Sequence, residues 1–105
     1  MKDKLLKIIN HYGIKHQQRK LNEEVFELQE AIIRKEYLPN EKDVDPELFA
    51  MNLELEQAKE NIEEELADVL VILSQIKYYY ELDSERIKEI MKQKVDRQLD
   101  RMKEE

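Results

Sequence analysis

Glu64-Glu65-Leu66-Ala67-Asp68-Val69-Leu70-Val71-Ile72-Leu73 is the stretch on which the fold turns. It contains the longest apolar run of the chain, Val69 to Leu73, and two acids three positions apart, Glu65 and Asp68, stand at its upstream edge. Alternation at every second position, the mark of a half-buried strand, is missing. At about 100° per residue, Ile62, Val69 and Ile76 fall on one face of a helix. Glu65 and Asp68 then lie just beside that face, with Asn61, Ile72 and Tyr79 nearby. The apolar stripe extends in both directions through Leu48, Met51, Leu55, Ala58, Ile62, Leu66, Val69, Leu73, Ile76 and Tyr80. One long helix satisfies this pattern, and so do two helices with a kink near Glu60–Asn61.

Outward from this stretch the breaks are few, because the chain has one Gly and two Pro in 105 residues. Gly13 ends an amphipathic segment, Lys2–Tyr12, whose Leu5, Ile8, Ile9 and Tyr12 share a side, and reads as a helix C-cap. A second helix is predicted from about Ile14 to Tyr37, closed by Leu38-Pro39-Asn40. Glu41–Asp45 is then a loop, and Asp45-Pro46 supplies an N-cap followed by Pro at the first helical position. Asp83 or Ser84 caps a last helix to about Lys103, with Ile87, Met91, Val95 and Met102 on its core side. The expected fold is all-α, a bundle of four to five helices in a single domain over residues 1–105.

Composition removes several classes of function. A single Gly excludes the glycine-rich phosphate loops, and the absence of Cys excludes thiol nucleophiles and Cys-ligated zinc. His11 and His16 form no HExxH helix, and neither follows a Glu by three positions as a di-iron bundle requires. With 25 Asp+Glu against 18 Lys+Arg, the net charge of −7 argues against a nucleic-acid or anionic-membrane partner. No apolar run approaches the 18 or so residues of a membrane span, and the amino-terminal residues lack the apolar core of a signal peptide. A cytoplasmic location is the expectation. If such a chain handles phosphates, it must do so through metal ions held by carboxylates.

The second helix supplies the matching acids. With Leu21 at the centre of its apolar stripe (Leu21, Val25, Leu28, Ile32), Glu24 and Glu27 fall on one flank, shared with Gln17, Lys20 and Ala31. Glu23 and Glu30 point nearly opposite. Acids three apart share a face about one turn along, so two such helices side by side would present paired carboxylates, Glu24 and Glu27 facing Glu65 and Asp68. Like charges resist this, and hard cations such as Mg²⁺ or Mn²⁺ relieve it. The same acids are also compatible with a solvated face or with pairs such as Lys20 and Glu24. On the last helix Lys94, Arg97 and Arg101 line one flank, where they could contact phosphate oxygens or pair with acids of their own helix. Further apolar patches, Phe26 with Ile33 and Val71 with Tyr78, point to a bundle completed by oligomerisation; the alternative is that Phe26 and Tyr78 pack under residues 38–60.

The succession Glu23-Glu24-x-x-Glu27-Leu28, then Glu64-Glu65-x-x-Asp68-Val69-Leu70, then a basic helix opened by Leu82-Asp83, resembles the MazG-like all-α nucleotide pyrophosphohydrolases from about Gly13 to Arg101. Gln17 and Lys20 before the first motif and Ala31-Ile32 after it also match. The resemblance implies Mg²⁺-dependent hydrolysis of a nucleoside triphosphate to the monophosphate and pyrophosphate, in a homodimer or homotetramer. It implies Glu24, Glu27, Glu65 and Asp68 as metal ligands, the four that the flank geometry selects. Glu23 and Glu64 would orient or deprotonate the attacking water, and Gln17, Lys20 and Lys94 would bind substrate. Where the family often has a basic residue or Asn a turn after that Lys, this chain has Gln98, with Arg97 or Arg101 as substitutes. The spacing between motifs is longer than is common, which marks 38–60 as an insert. The reading from a different class is a non-catalytic helical interaction protein that keeps the fold.

Overall fold

The computed structural model describes residues 1–105. Its elements are α1 (Lys2–Tyr12), α2 (Ile14–Glu36), a single 3₁₀ turn (Glu41–Asp43), α3 (Phe49–Tyr79) and α4 (Ser84–Glu104). There is no strand, so the all-α expectation holds, with four helices. No helix is long and apolar enough to cross a membrane.

One residue separates α1 from α2. Gly13 has φ 91° and ψ 153°, a region essentially open to glycine alone. Its N–H donates to the Ile9 carbonyl at 2.7 Å, ending α1, while its carbonyl accepts from the Gln17 N–H at 3.1 Å, starting α2. Asp83 opens α4 as expected, its Oδ1 accepting from the backbone N–H of Glu85 at 3.0 Å and of Arg86 at 3.1 Å.

Asp45 does not cap α3. Its side chain accepts from the Glu47 N–H at 2.9 Å, and its carbonyl takes the Leu48 N–H and the Asn52 side-chain amide at 3.0 Å each. That closes a local Asx turn, which competes with helix initiation, and α3 begins only at Phe49. From there it runs unbroken across Glu60–Asn61 to Tyr79. Residues 38–60 are thus a capped loop followed by the first three turns of α3. Phe26 and Tyr78 do not pack beneath them: Phe26 is exposed, and Tyr78 lies under the Lys2 ammonium, 5.6 Å from its ring centre.

α2 and α3 form the main interface, antiparallel, with α1 packed chiefly on α3. The buried apolar core is small: Leu5, Ile9, Ala31, Leu55, Val69 and Ile72. On α2 the seam is Gln17, Glu24 and Ala31, not the stripe of Leu21, Val25, Leu28 and Ile32, whose members are half-buried or, at Ile32, exposed. On α3 Ile72 and Gln75 are buried whereas Leu66 and Leu73 are exposed. α4 has no comparable contact with the other helices and no buried residue, so Met91, Val95 and Met102 have no core side in one chain. The physical reason is shared. A single antiparallel pair covers one face of each helix: on α2 that face is the mixed flank rather than the most apolar stripe, and on α3 it takes Leu55 and Val69 of the expected stripe together with Ile72 and Gln75 beside it.

Candidate metal centre

The antiparallel seam sets α2 residues against α3 residues in reverse order. Gln17 bonds Gln75, Glu24 shares a cavity with Asp68, and Glu27 and Ala31 share another with Glu65 and Asn61. Three of the four acids selected from the sequence therefore converge: Glu24, Glu27 and Glu65 each offer one carboxylate oxygen within 4.8 Å of the others. Asp68 lies outside that triangle and is exposed, but it borders the cavity on the Glu24 side.

Burial makes this more than an acidic surface. Glu24 is only 7% exposed, and its Oε2, like Oε2 of half-buried Glu65, has no hydrogen-bond partner. Leaving a buried polar atom unpaired costs about 1–3 kcal/mol, more when it is charged. The only ion pair that either glutamate makes is that of Lys20, whose ammonium is 3.4 Å from Oε1 of Glu24. Burial pushes the Glu24 carboxyl above its ordinary value; Glu27 and Asp68 push it further, and Lys20 opposes them. The donor set of carboxylate oxygens, two of them buried and unpaired, suits a hard divalent cation such as Mg²⁺ or Mn²⁺.

Two cavities flank the acids. One, of about 100 Å³, is lined by Glu27, Glu30, Ala31, Arg34, Asn61 and Glu65. The other, of about 350 Å³, opens beside Glu24 and Asp68 toward α1 and includes Gln17 and Lys20 in its wall. A wider groove of about 500 Å³ lies at Leu38–Lys42, away from these acids. Its bases and acids are balanced, Lys35 and Lys42 with Glu36 and Glu41, and it holds no buried unpaired polar atom.

The other residues singled out in the sequence are dispersed. Glu23 and Glu64 are exposed and border neither cavity. Lys94, Arg97 and Arg101 are exposed on α4, away from both. Conversely, the structure brings in Arg34 and Gln75. The signal for Gln75 was its position seven residues after Asp68, two turns along the same face, the spacing by which Gln17 precedes Glu24. Arg34 follows Ala31 by three positions on the flank already assigned to α2.

No known protein family, curated protein or solved structure matches the chain.

Proposed function

We propose that the protein is a metal-dependent pyrophosphohydrolase that cleaves a nucleoside triphosphate to the monophosphate and pyrophosphate. The observation that carries this reading is the pair of buried, unpartnered carboxylate oxygens of Glu24 and Glu65 inside a three-carboxylate cluster. Glu24, Glu27 and Glu65 would hold Mg²⁺ or Mn²⁺, with Asp68 completing the set from the cavity side. Bound there, the metal supplies Lewis acidity toward the attacked phosphoryl group and neutralises polyphosphate charge. Lys20 and Gln17 would orient the phosphates on the larger cavity's side, and Arg34 on the smaller one's. In the reaction a water oxygen bonds to the α-phosphorus, the bond from that phosphorus to the α,β-bridging oxygen breaks, and pyrophosphate leaves. The water proton leaves through solvent toward Glu64 or Glu23, exposed carboxylates that border neither cavity. Lys94, Arg97 and Arg101 can serve the outer phosphates only if α4 reaches the groove of a second copy in a homodimer or homotetramer, since it projects away from its own.

The direct test is a panel of nucleoside triphosphates with Mg²⁺, scored for pyrophosphate against orthophosphate. Glu65→Gln and Asp68→Asn should each lower kcat/KM by at least the roughly 10- to 100-fold that loss of an outer-shell partner costs a metal site. Unchanged activity in both variants would remove the site assignment. The exposed apolar surface of α2, α3 and α4 favours, as a second reading, a non-catalytic helical interaction protein. That reading requires no pyrophosphate release from any triphosphate and tolerance of Asp68→Leu.

A further inference from the structure

The cavity that Glu24 and Asp68 share continues away from the acids along the joint of α1, α2 and α3. Its volume of about 350 Å³ is at the lower end of small-molecule sites. Three of its features have no part in holding a metal. A hydrogen-bonded file of side chains runs along it: His16 Nδ1 to Gln17 Oε1 at 2.8 Å, then Gln17 Nε2 to Gln75 Oε1 at 2.8 Å. Because an amide oxygen only accepts, His16 Nδ1 carries the proton and donates. At the end of the file stands Gln75, 2% exposed, whose own Nε2 makes no hydrogen bond within the chain although the residue lines the cavity. At the other side the Tyr12 and His16 rings stack, centroids 5.0 Å apart and 18° from parallel, with Ile8 and Val71 as apolar walls. Gln75 Nε2 is not among the polar atoms buried without a partner, so it is open to a ligand in the cavity while Oε1 holds Gln17.

We infer that this cavity is a slot for the base of the nucleotide, and that Gln75 selects bases bearing a ring carbonyl (uracil, thymine, cytosine, guanine, hypoxanthine) over adenine. The inference rests on the triphosphate reading above, which places polyphosphate at the acids and so leaves the base to the far end of the same cavity. Apolar side walls and a stacked aromatic pair accept a planar heterocycle. The recessed Gln75 N–H needs an acceptor that projects from the ring edge, as an exocyclic carbonyl does. Adenine projects an amino group there, a donor against a donor, and its acceptor nitrogens lie within the ring outline. Sites built around a buried hydrogen bond reject ligands that cannot complete it more strongly than apolar sites reject a size change.

The test uses metal-free protein and nucleosides without phosphates, titrated by calorimetry, so that it does not depend on hydrolysis. Uridine and guanosine should bind at least tenfold more tightly than adenosine. Gln75→Met should erase that preference, and Val71→Trp, at an exposed wall position, should block binding while leaving the circular dichroism spectrum unchanged. Equal affinity for adenosine, no saturable binding of any nucleoside, or a preference that survives Gln75→Met would overturn the slot. Pyrophosphate release from every triphosphate and from inorganic tripolyphosphate at similar kcat/KM would also overturn it, with the proposed activity intact. Selective nucleoside binding without any pyrophosphate release would uphold the slot and remove the triphosphate reading instead.

Discussion

One oxygen of Glu24 lies 3.4 Å from the Lys20 ammonium, while the other is buried with no partner. Its carboxyl is held above its ordinary 4.5, first by burial and then by the charges of Glu27 and Asp68. A raised folded pKa means that the native state binds the proton more tightly than the unfolded chain does. The stability contributed by protonated Glu24 is therefore full below pH 4.5 and is lost as pH rises through the folded pKa. Near neutrality the metal-free protein carries the cost of that charge, and a cation removes it. Glu24→Met, an unbranched apolar replacement, should raise metal-free stability at pH 7 by about 1–3 kcal/mol and flatten this acidic limb. Freed Lys20 is half-exposed and returns to water at little cost. With Mg²⁺ at about 100 times its dissociation constant the parent protein should gain about 2.7 kcal/mol, and the variant should gain nothing. Thermal melts from pH 4 to 7, with chelator and with Mg²⁺, give all of these quantities. A variant less stable than the parent in chelator would mean that Glu24 is satisfied without metal.

At the scale of elements, the joint between α1 and α2 depends on a single backbone conformation. A Cβ at Gly13 would meet nothing within 4 Å, so Gly13→Ala tests the backbone alone. At φ 91° and ψ 153° an L-residue is strained by about 1–3 kcal/mol, and the melting temperature should fall accordingly. Because α1 carries Tyr12 into the cavity beside Gln75, the same variant should weaken nucleoside binding. Wild-type stability would show that the joint relaxes without cost. Gly13 and Asp83 were legible because each acts through its immediate neighbours. The start of α3 was not: Asp45 and Pro46 satisfy the rules for a helix start, but Asp45 also satisfies those for an Asx turn, and the contact with Asn52 decides between them. Which face of α2 is buried was misplaced for a different reason, whereas on α3 the expected stripe holds in part, with Leu55 and Val69 buried. On α2 periodicity locates the most apolar stripe, Leu21 to Ile32, whereas one partner helix covers only the face turned toward it. The acids were legible as a group because residues three and four apart must share a flank whichever face is buried. Their sorting into a buried Glu24, a half-buried Glu65 and an exposed Asp68 depends on the crossing of the two helices, which no local pattern encodes.

Taken whole, the chain is too open for its mass. Its radius of gyration is 18.3 Å, where a compact chain of about 100 residues has about 13 Å. Its accessible surface is 9026 Å², where folded monomers of this mass expose about 6,300 Å². The surplus of roughly 2,700 Å² per chain is of the order that obligate homo-oligomers bury. Its chemistry fits the same conclusion. Phe26, Ile33, Leu66, Leu70 and Leu73 are exposed on α2 and α3, and Met91, Val95, Leu99 and Met102 are exposed along α4. Helices in proteins draw most of their stability from packing an apolar face, and α4 buries none of its residues in one chain, so it is expected to lie on another copy. Sedimentation equilibrium should therefore return a multiple of 12.8 kDa, and the melting temperature should climb with protein concentration, as it does when association and folding are linked. Leu70→Glu and Val95→Glu, both at exposed positions in one chain, should each shift the mass toward the monomer and lower the melting temperature. A monomer of unchanged stability in both variants and at every concentration would leave α4 without a partner and, with it, the proposed phosphate contacts of Lys94, Arg97 and Arg101.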